Sequence, residues 1–166
     1  MSDIKRILLV EDSLNDIELT LTALADQKLA NEVVVTHDGE EALDYIYRRG
    51  EYALRNGGNP AVILLDLKMP KVDGLEVLRT IKSDPDLKHI PVVMLTSSAE
   101  ECDVVESYNL NVNAYVVKPV AFQEFVEVIG RIGLFWAVIN VPPSLAPASK
   151  AYSDENNGTV ASNTTT

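Results

Sequence analysis

Five short apolar runs punctuate the chain: Ile7 to Val10, Val33 to Val35, Val62 to Leu65, Val92 to Leu95 and Tyr115 to Val117. Each is nearly continuous rather than alternating, the pattern expected of parallel strands covered on both faces. Between them, apolar residues recur at spacings of three and four. Leu14, Ile17, Leu21 and Leu24 do so behind Ser13, a good N-cap residue, and Leu75, Leu78 and Ile81 do so behind Asp73-Gly74. Ala42, Leu43 and Ile46, then Val104, Val105 and Tyr108, then Phe122, Phe125, Val126 and Ile129 complete five helical segments. Strict alternation of strand and helix predicts a doubly wound α/β fold: a five-stranded parallel sheet with five helices and right-handed crossovers. Such a sheet places its functional site beyond the carboxyl ends of the strands.

Two stretches fall outside the alternation. Arg49 to Pro60, with Gly57, Gly58 and Pro60, is longer than an ordinary connection of about four to six residues and reads as a surface loop or an extension of the second helix. From Val141 to Thr166 the chain turns to Pro, Ser, Asn and Thr without apolar periodicity, so a folded domain over 1–140 and a disordered polar tail over 141–166 are expected. Asn157-Gly158-Thr159 and Asn163-Thr164-Thr165 in that tail match the glycosylation pattern; because MSDIKRILLV does not read as a secretory signal, the matches are expected to be chance.

Composition narrows the possibilities. With 166 residues, 46% of them apolar, the chain suits one globular domain with a real core and not a disordered segment. A formal net charge of −11 repels phosphate backbones, so nucleic acid is not expected as a direct partner. The single Cys102 excludes an internal disulfide, and with no second Cys or His at ligand spacing it reads as a surface or helix-packing residue. No apolar stretch approaches the ~18 residues of a membrane span, so a soluble, cytoplasmic protein is expected.

The strand ends carry the chemistry. The first strand ends in Glu11-Asp12, the third in Asp66, the fourth in Thr96-Ser97 and the fifth in Lys118-Pro119. Singly, each has a plain reading: Asp and Ser cap helices, Thr96-Ser97 can cap a helix beginning near Ala99, and lysines sit in solvent. In a parallel sheet, however, all four groups share one edge. Three crowded carboxylates repel one another and call for a positive charge. Their all-oxygen character suits Mg²⁺ and disfavours zinc. Lys118 and Thr96 can contact phosphoryl oxygens as point charge and hydroxyl donor, so the set is equipped to transfer a phosphoryl group to an aspartate.

The segments Leu9-Val10-Glu11-Asp12, Leu64 to Pro70, Asp73-Gly74, Met94-Leu95-Thr96-Ser97 and Tyr115-Val116-Val117-Lys118-Pro119 resemble the receiver domains of two-component response regulators over residues 5 to about 130. The resemblance implies the flavodoxin-like strand order 2-1-3-4-5, with Asp66 as phosphoacceptor and Asp12, Asp66 and the backbone carbonyl of Lys68 as Mg²⁺ ligands. It also implies a role for Glu11 through a metal-bound water, Thr96 and Tyr115 as a switch pair, and Lys118 as partner of the phosphoryl group before a cis Pro119. Glu11 stands where Asp is commoner. The long Arg49–Pro60 loop, Lys118-Pro119-Val120, Ile90 to Val93 and Phe135-Trp136 narrow the resemblance to the single-domain regulators of bacterial and cyanobacterial phytochrome kinases. A sensor histidine kinase is then the implied partner, with a downstream phosphorelay protein as a further one.

Other readings fit less well. A flavodoxin-like cofactor module lacks a Gly-rich cradle after the first strand, where Glu11-Asp12 would repel a flavin phosphate. A haloacid-dehalogenase-type phosphatase needs a second carboxylate where Lys68 stands. A degenerate receiver would lack part of the set Asp12, Asp66, Thr96 and Lys118. The helix starting near Phe122 is expected to bury Phe122, Val126 and Ile129, while its continuation through Ile132, Leu134, Phe135, Trp136, Val138 and Ile139 is apolar nearly all round. That continuation predicts a homodimer anchored by Phe135 and Trp136.

Overall fold

The computed structural model describes residues 5–141. Strands β1 (Ile7–Val10), β2 (Val33–Thr36), β3 (Val62–Leu65), β4 (Val92–Thr96) and β5 (Ala114–Val117) form one parallel sheet in the order β2-β1-β3-β4-β5. Helices α1 (Leu14–Asp26), α2 (Gly39–Tyr47), α3 (Gly74–Ser83), α4 (Glu101–Asn109) and α5 (Phe122–Gly133) cover both faces. The expected fold and strand order are those observed.

The continuous apolar runs have a direct cause. In β1, Leu8 and Val10 enter one core with Ala42, Tyr45 and Ile46 of α2 and Val77, Leu78 and Ile81 of α3. Ile7 and Leu9 enter the other with Ile17 and Leu24 of α1 and Phe125 and Ile129 of α5. A pleated strand points successive side chains to opposite faces, so only an unbroken run fills both cores. The edge strands β2 and β5 are less buried.

Helix starts follow local capping. Ser13 Oγ accepts the Asp16 N–H at 3.3 Å, Asp38 Oδ1 the Glu41 N–H at 2.8 Å and Asp73 Oδ1 the Glu76 N–H at 2.9 Å. Two expected stripe residues are corrected: Leu14 and Phe122 are 74% and 57% exposed. Both open helices that begin past the carboxyl edge of the sheet, so their first turns overhang the core. In α1 the buried face is Ile17, Thr20, Ala23 and Leu24. The Arg49–Pro60 segment does not extend α2, because Arg48 adopts a left-handed conformation (φ 56°) that stops the helix, and a short 3₁₀ turn at Gly50–Tyr52 follows.

After α5 the chain continues in a π-helical segment, Leu134–Ile139. This wider turn brings Ala137 into the core and packs Trp136 against it, while Leu134, Phe135, Val138 and Ile139 face outward. Of the two aromatics expected to anchor a dimer, Trp136 is half-buried against the core and Phe135 stands edge-on to it with centroids 5.0 Å apart. The polar tail expected over 141–166 and its two glycosylation patterns lie outside the described residues from 142 onward.

Candidate functional site

The parallel register brings the strand ends together, as each chain leaving the sheet is tied to its neighbour by one more backbone bond. Glu11 N–H donates to Thr36 O at 3.0 Å, Asp66 N–H to Val10 O at 3.0 Å and Lys118 N–H to Thr96 O at 2.7 Å. Carboxylate oxygens of Glu11, Asp12 and Asp66 lie within 4.8 Å of one another. Glu11 and Asp66 are buried and Asp12 is exposed. Asp12 and Lys68 line a cleft of about 540 Å³ that also includes Asp73 and Asp103.

A close approach anchors Asp66. Gly74, the first residue of α3, donates its N–H to Leu67 O at 2.8 Å, and a Cβ there would fall 2.2 Å from Asp66 O and 2.8 Å from Leu67 Cα. Only glycine allows α3 to seat directly beneath the aspartate, which is the physical content of the Asp73-Gly74 pair. Asp66 Oδ1 accepts the Leu67 N–H at 2.8 Å, leaving Oδ2 turned to Lys118 at 3.7 Å.

The Lys118 Nζ is held by Glu11 Oε2 at 2.5 Å and Asp16 Oδ2 at 2.8 Å. Burial alone would push its pKa down, but hydrogen bonds to Asp16 and Glu11 and the charges of Glu11 and Asp66 raise it above the ordinary lysine value. Glu11 is pushed up to about 7 by burial, against the pull of the Lys118 hydrogen bond, with the Asp66 charge adding to the rise. The Lys118–Pro119 bond is trans, since the described residues contain no cis peptide; trans is the favoured isomer, and the ammonium reaches the cluster from it.

Thr96 and Tyr115 share no hydrogen bond with one another, but both bond Ser98. Thr96 Oγ1 accepts the Ser98 N–H at 3.3 Å, and Tyr115 Oη donates to Ser98 O at 2.9 Å. Ser98 Oγ in turn donates to Asp103 Oδ2 at 2.6 Å on α4. Sequence reading missed Asp16, Ser98 and Asp103. The one signal for Asp16 is an acidic residue in the first turn of a helix that starts at the sheet's carboxyl edge; its role as a lysine partner is a tertiary fact.

With this charged cluster at the carboxyl edge of a 2-1-3-4-5 sheet, the chain matches the response regulator receiver domain model over residues 7–130. The chain belongs to the response regulator receiver family. This receiver is similar to the response regulator Rcp1 of Synechocystis, at 44% identity over 80% of this chain and 88% of that protein. Rcp1 has been solved in a Mn²⁺-bound form, with a TM-score of 0.76, 42% identity and coverage of 84% of this chain and 99% of that one. The phosphorylated cyanobacterial phytochrome response regulator RcpA superposes with a TM-score of 0.78 at 46% identity, covering 84% of this chain and 99% of that one. The bacteriophytochrome response regulator AtBRR is 63% identical over 82% of this chain and 98% of that one, with a TM-score of 0.66.

The donor set fits a hard divalent cation. It is all oxygen, it lacks His and Cys, and it combines two buried carboxylates with one open to the cleft. A second cluster, Glu100, Cys102 and Asp103, lies on α4 and its cap, apart from the strand ends except through Asp103.

Proposed function

We propose that this receiver accepts a phosphoryl group on Asp66 from a sensor histidine kinase of the phytochrome type and signals by changing its protein-binding surface. The observation that carries the reading is Asp66 Oδ2, which accepts no protein hydrogen bond among the described residues and lies 3.7 Å from the Lys118 ammonium in a carboxylate cluster with Glu11 and Asp12. That oxygen attacks the phosphorus of a phosphohistidine; a P–O bond forms, the P–N bond breaks, and the imidazole takes up a proton. Asp12, Asp66 and the Lys68 carbonyl would hold Mg²⁺, with Glu11 acting through a bound water. The cation supplies charge neutralisation for the phosphoryl oxygens.

Lys118 starts paired to Glu11 and Asp16 and turns to the new phosphoryl oxygens. Thr96 Oγ1 leaves the Ser98 N–H for the same oxygens, and Tyr115, tied to Ser98 O, moves with that loop. The surface of α4, β5 and α5 is thereby altered for a phosphorelay protein or other protein partner in the cytoplasm. No described helix is long and apolar enough to cross a membrane. A homodimer through the outward face of the last helix belongs to the same reading, with Phe135, 47% exposed, as anchor beside Leu134, Val138 and Ile139, and Trp136 as its packed support.

The test is intact mass after incubation with acetyl phosphate and Mg²⁺. The wild type gains one phosphoryl group, and Asp66→Asn gains none; a retained gain in the variant refutes the assignment. EDTA abolishes labelling.

A further inference from the structure

At the opposite edge of the sheet the charge pattern inverts. Arg6 immediately precedes β1, and the Asn56–Pro60 segment leads into β3, so both lie at the amino ends of the strands. With about 3.3 Å of rise per residue, that edge is roughly 20 Å from Asp12. Three guanidiniums meet there on a chain whose net charge is −11. Arg6 Nη1 donates to Asn56 O at 3.1 Å, Arg48 Nη2 donates to Gly57 O, and Arg55 Nη1 donates to Gly58 O at 3.2 Å. All three are therefore gathered on one three-residue turn.

What they lack, among the described residues, is a negative partner. Among the described residues, no carboxylate lies within salt-bridge distance of Arg6, Arg48 or Arg55, whereas Arg49, Arg79, Lys71 and Lys118 all have one. The nearby carboxylate of Asp44 is taken by Arg49 at 3.1 Å. Arg55 has a local role: its Nε donates to Tyr45 O at 2.6 Å at the end of α2, where the helix dipole is negative. Burial lowers its pKa, and the charges of Arg48 and Arg6 lower it further, so the three cations are close enough to repel. Arg6 and Arg48 each use one donor nitrogen on a carbonyl of the turn. A guanidinium carries five N–H donors, so most of theirs are unspent.

The turn itself adds donors. Gly57 has φ +95°, a conformation that favours glycine, and a Cβ on Gly58 would meet nothing within 4 Å. Among the described residues, the amides of Gly57 and Gly58 donate to no protein acceptor. Exposed glycine amides flanked by unpaired guanidinium forks match the oxygens of linked phosphates better than a lone carboxylate, which one fork would satisfy.

We propose that Arg6, Arg48 and the Gly57-Gly58 turn, backed by Arg55, form a binding site for a polyphosphate group, independent of the acidic cleft. The test is isothermal titration of the full chain with pyrophosphate, tripolyphosphate and a nucleoside triphosphate. EDTA is present so that the acidic cleft holds no cation. Saturable binding is expected, weakening with salt and falling about tenfold or more in Arg6→Gln/Arg48→Gln. Phosphorylation of Asp66 in that variant should be unchanged, which shows that it folds. Amide chemical shifts of the wild type supply a reading free of mutation: Gly57 and Gly58 should move on addition of pyrophosphate, and Asp12 and Lys118 should not. Equal affinity for tripolyphosphate and the nucleotide means that the phosphate chain alone is read; tighter nucleotide binding adds a contact to the base. Absence of binding at about 10 mM ligand, or equal affinity in the double variant, overturns the proposal. So does a double variant that weakens kinase docking while pyrophosphate fails to bind the wild type, because the patch then reads an acidic protein surface.

Discussion

Helices α3 and α4 pack against one another, and each follows a strand that ends in a candidate site residue, Asp66 or Thr96, yet they are seated in opposite ways. Helix α3 buries Gly74, Val77, Leu78 and Ile81, starts with a side-chain cap from Asp73, and touches the backbone of Asp66. Helix α4 fully buries only Ser107, starts at Glu100 without a side-chain cap, and leaves Val105 and Tyr108 51% and 53% exposed. With apolar burial worth about 25 cal/mol per Å², displacing α3 is costly and displacing α4 is cheap. Asp66 is thus mounted on the fixed element. The Ser98 junction that links Thr96, Tyr115 and Asp103 sits at the root of the loose one.

The largest effect that would break this contrast is at Gly74. Gly74→Val must push α3 off the Asp66 carbonyl and should cost about 3 kcal/mol in urea unfolding, whereas Tyr108→Ala on α4 should stay within about 0.5 kcal/mol. Equal losses would remove the distinction. Hydrogen exchange sharpens it without mutation: the interior amides of α4 should exchange roughly a hundredfold faster than those of α3. Similar protection in both helices would mean that α4 is no looser than its neighbour.

A pH effect belongs to the fixed half. The folded pKa of Glu11, about 7, lies above the ordinary carboxyl value of 4.5, so the folded chain holds this proton more tightly than the unfolded one. Its contribution to stability is full below about 4.5 and is lost as pH rises through about 7. The metal-free protein should therefore show a fall in unfolding midpoint across that window that is reduced in Glu11→Gln. Mg²⁺ affinity should rise over the same window, as the cation needs the ionised carboxylate. A modest effect is expected for Tyr115→Phe, which removes the hydroxyl bond to Ser98 O and should cost about 1 kcal/mol while loosening the coupling of Asp66 phosphorylation to partner binding. Unchanged coupling would take Tyr115 out of the switch.

Legibility in the sequence followed the same division. The α3 stripe, its Asp73 cap and the Asp66 position could be read because burial imposes periodicity and capping is local. For α4, Val104, Val105 and Tyr108 have the spacing of a core stripe, but two of the three face solvent: periodicity marks a potential face and does not say whether anything covers it. The same limit exposed Leu14 and Phe122 at overhanging helix starts and turned Trp136 inward where a π-helical turn shifts the helical phase.

By itself, then, the amino-acid order determined the alternation of strands and helices, the two-sided burial of the sheet, and the convergence of Glu11, Asp12, Asp66, Thr96 and Lys118 on its carboxyl edge. These depend on local period and on the parallel sheet with right-handed crossovers that the alternation implies, whose carboxyl ends share one edge. Only the tertiary structure decided who holds whom. It gave Lys118 to Glu11 and Asp16, tied Thr96 and Tyr115 to the one peptide of Ser98, seated Gly74 under Asp66, and gathered Arg6 with Arg48 and Arg55 at the far edge. Those pairings join residues distant in the chain through side-chain reach and crossing angles, for which no short-range sequence pattern exists.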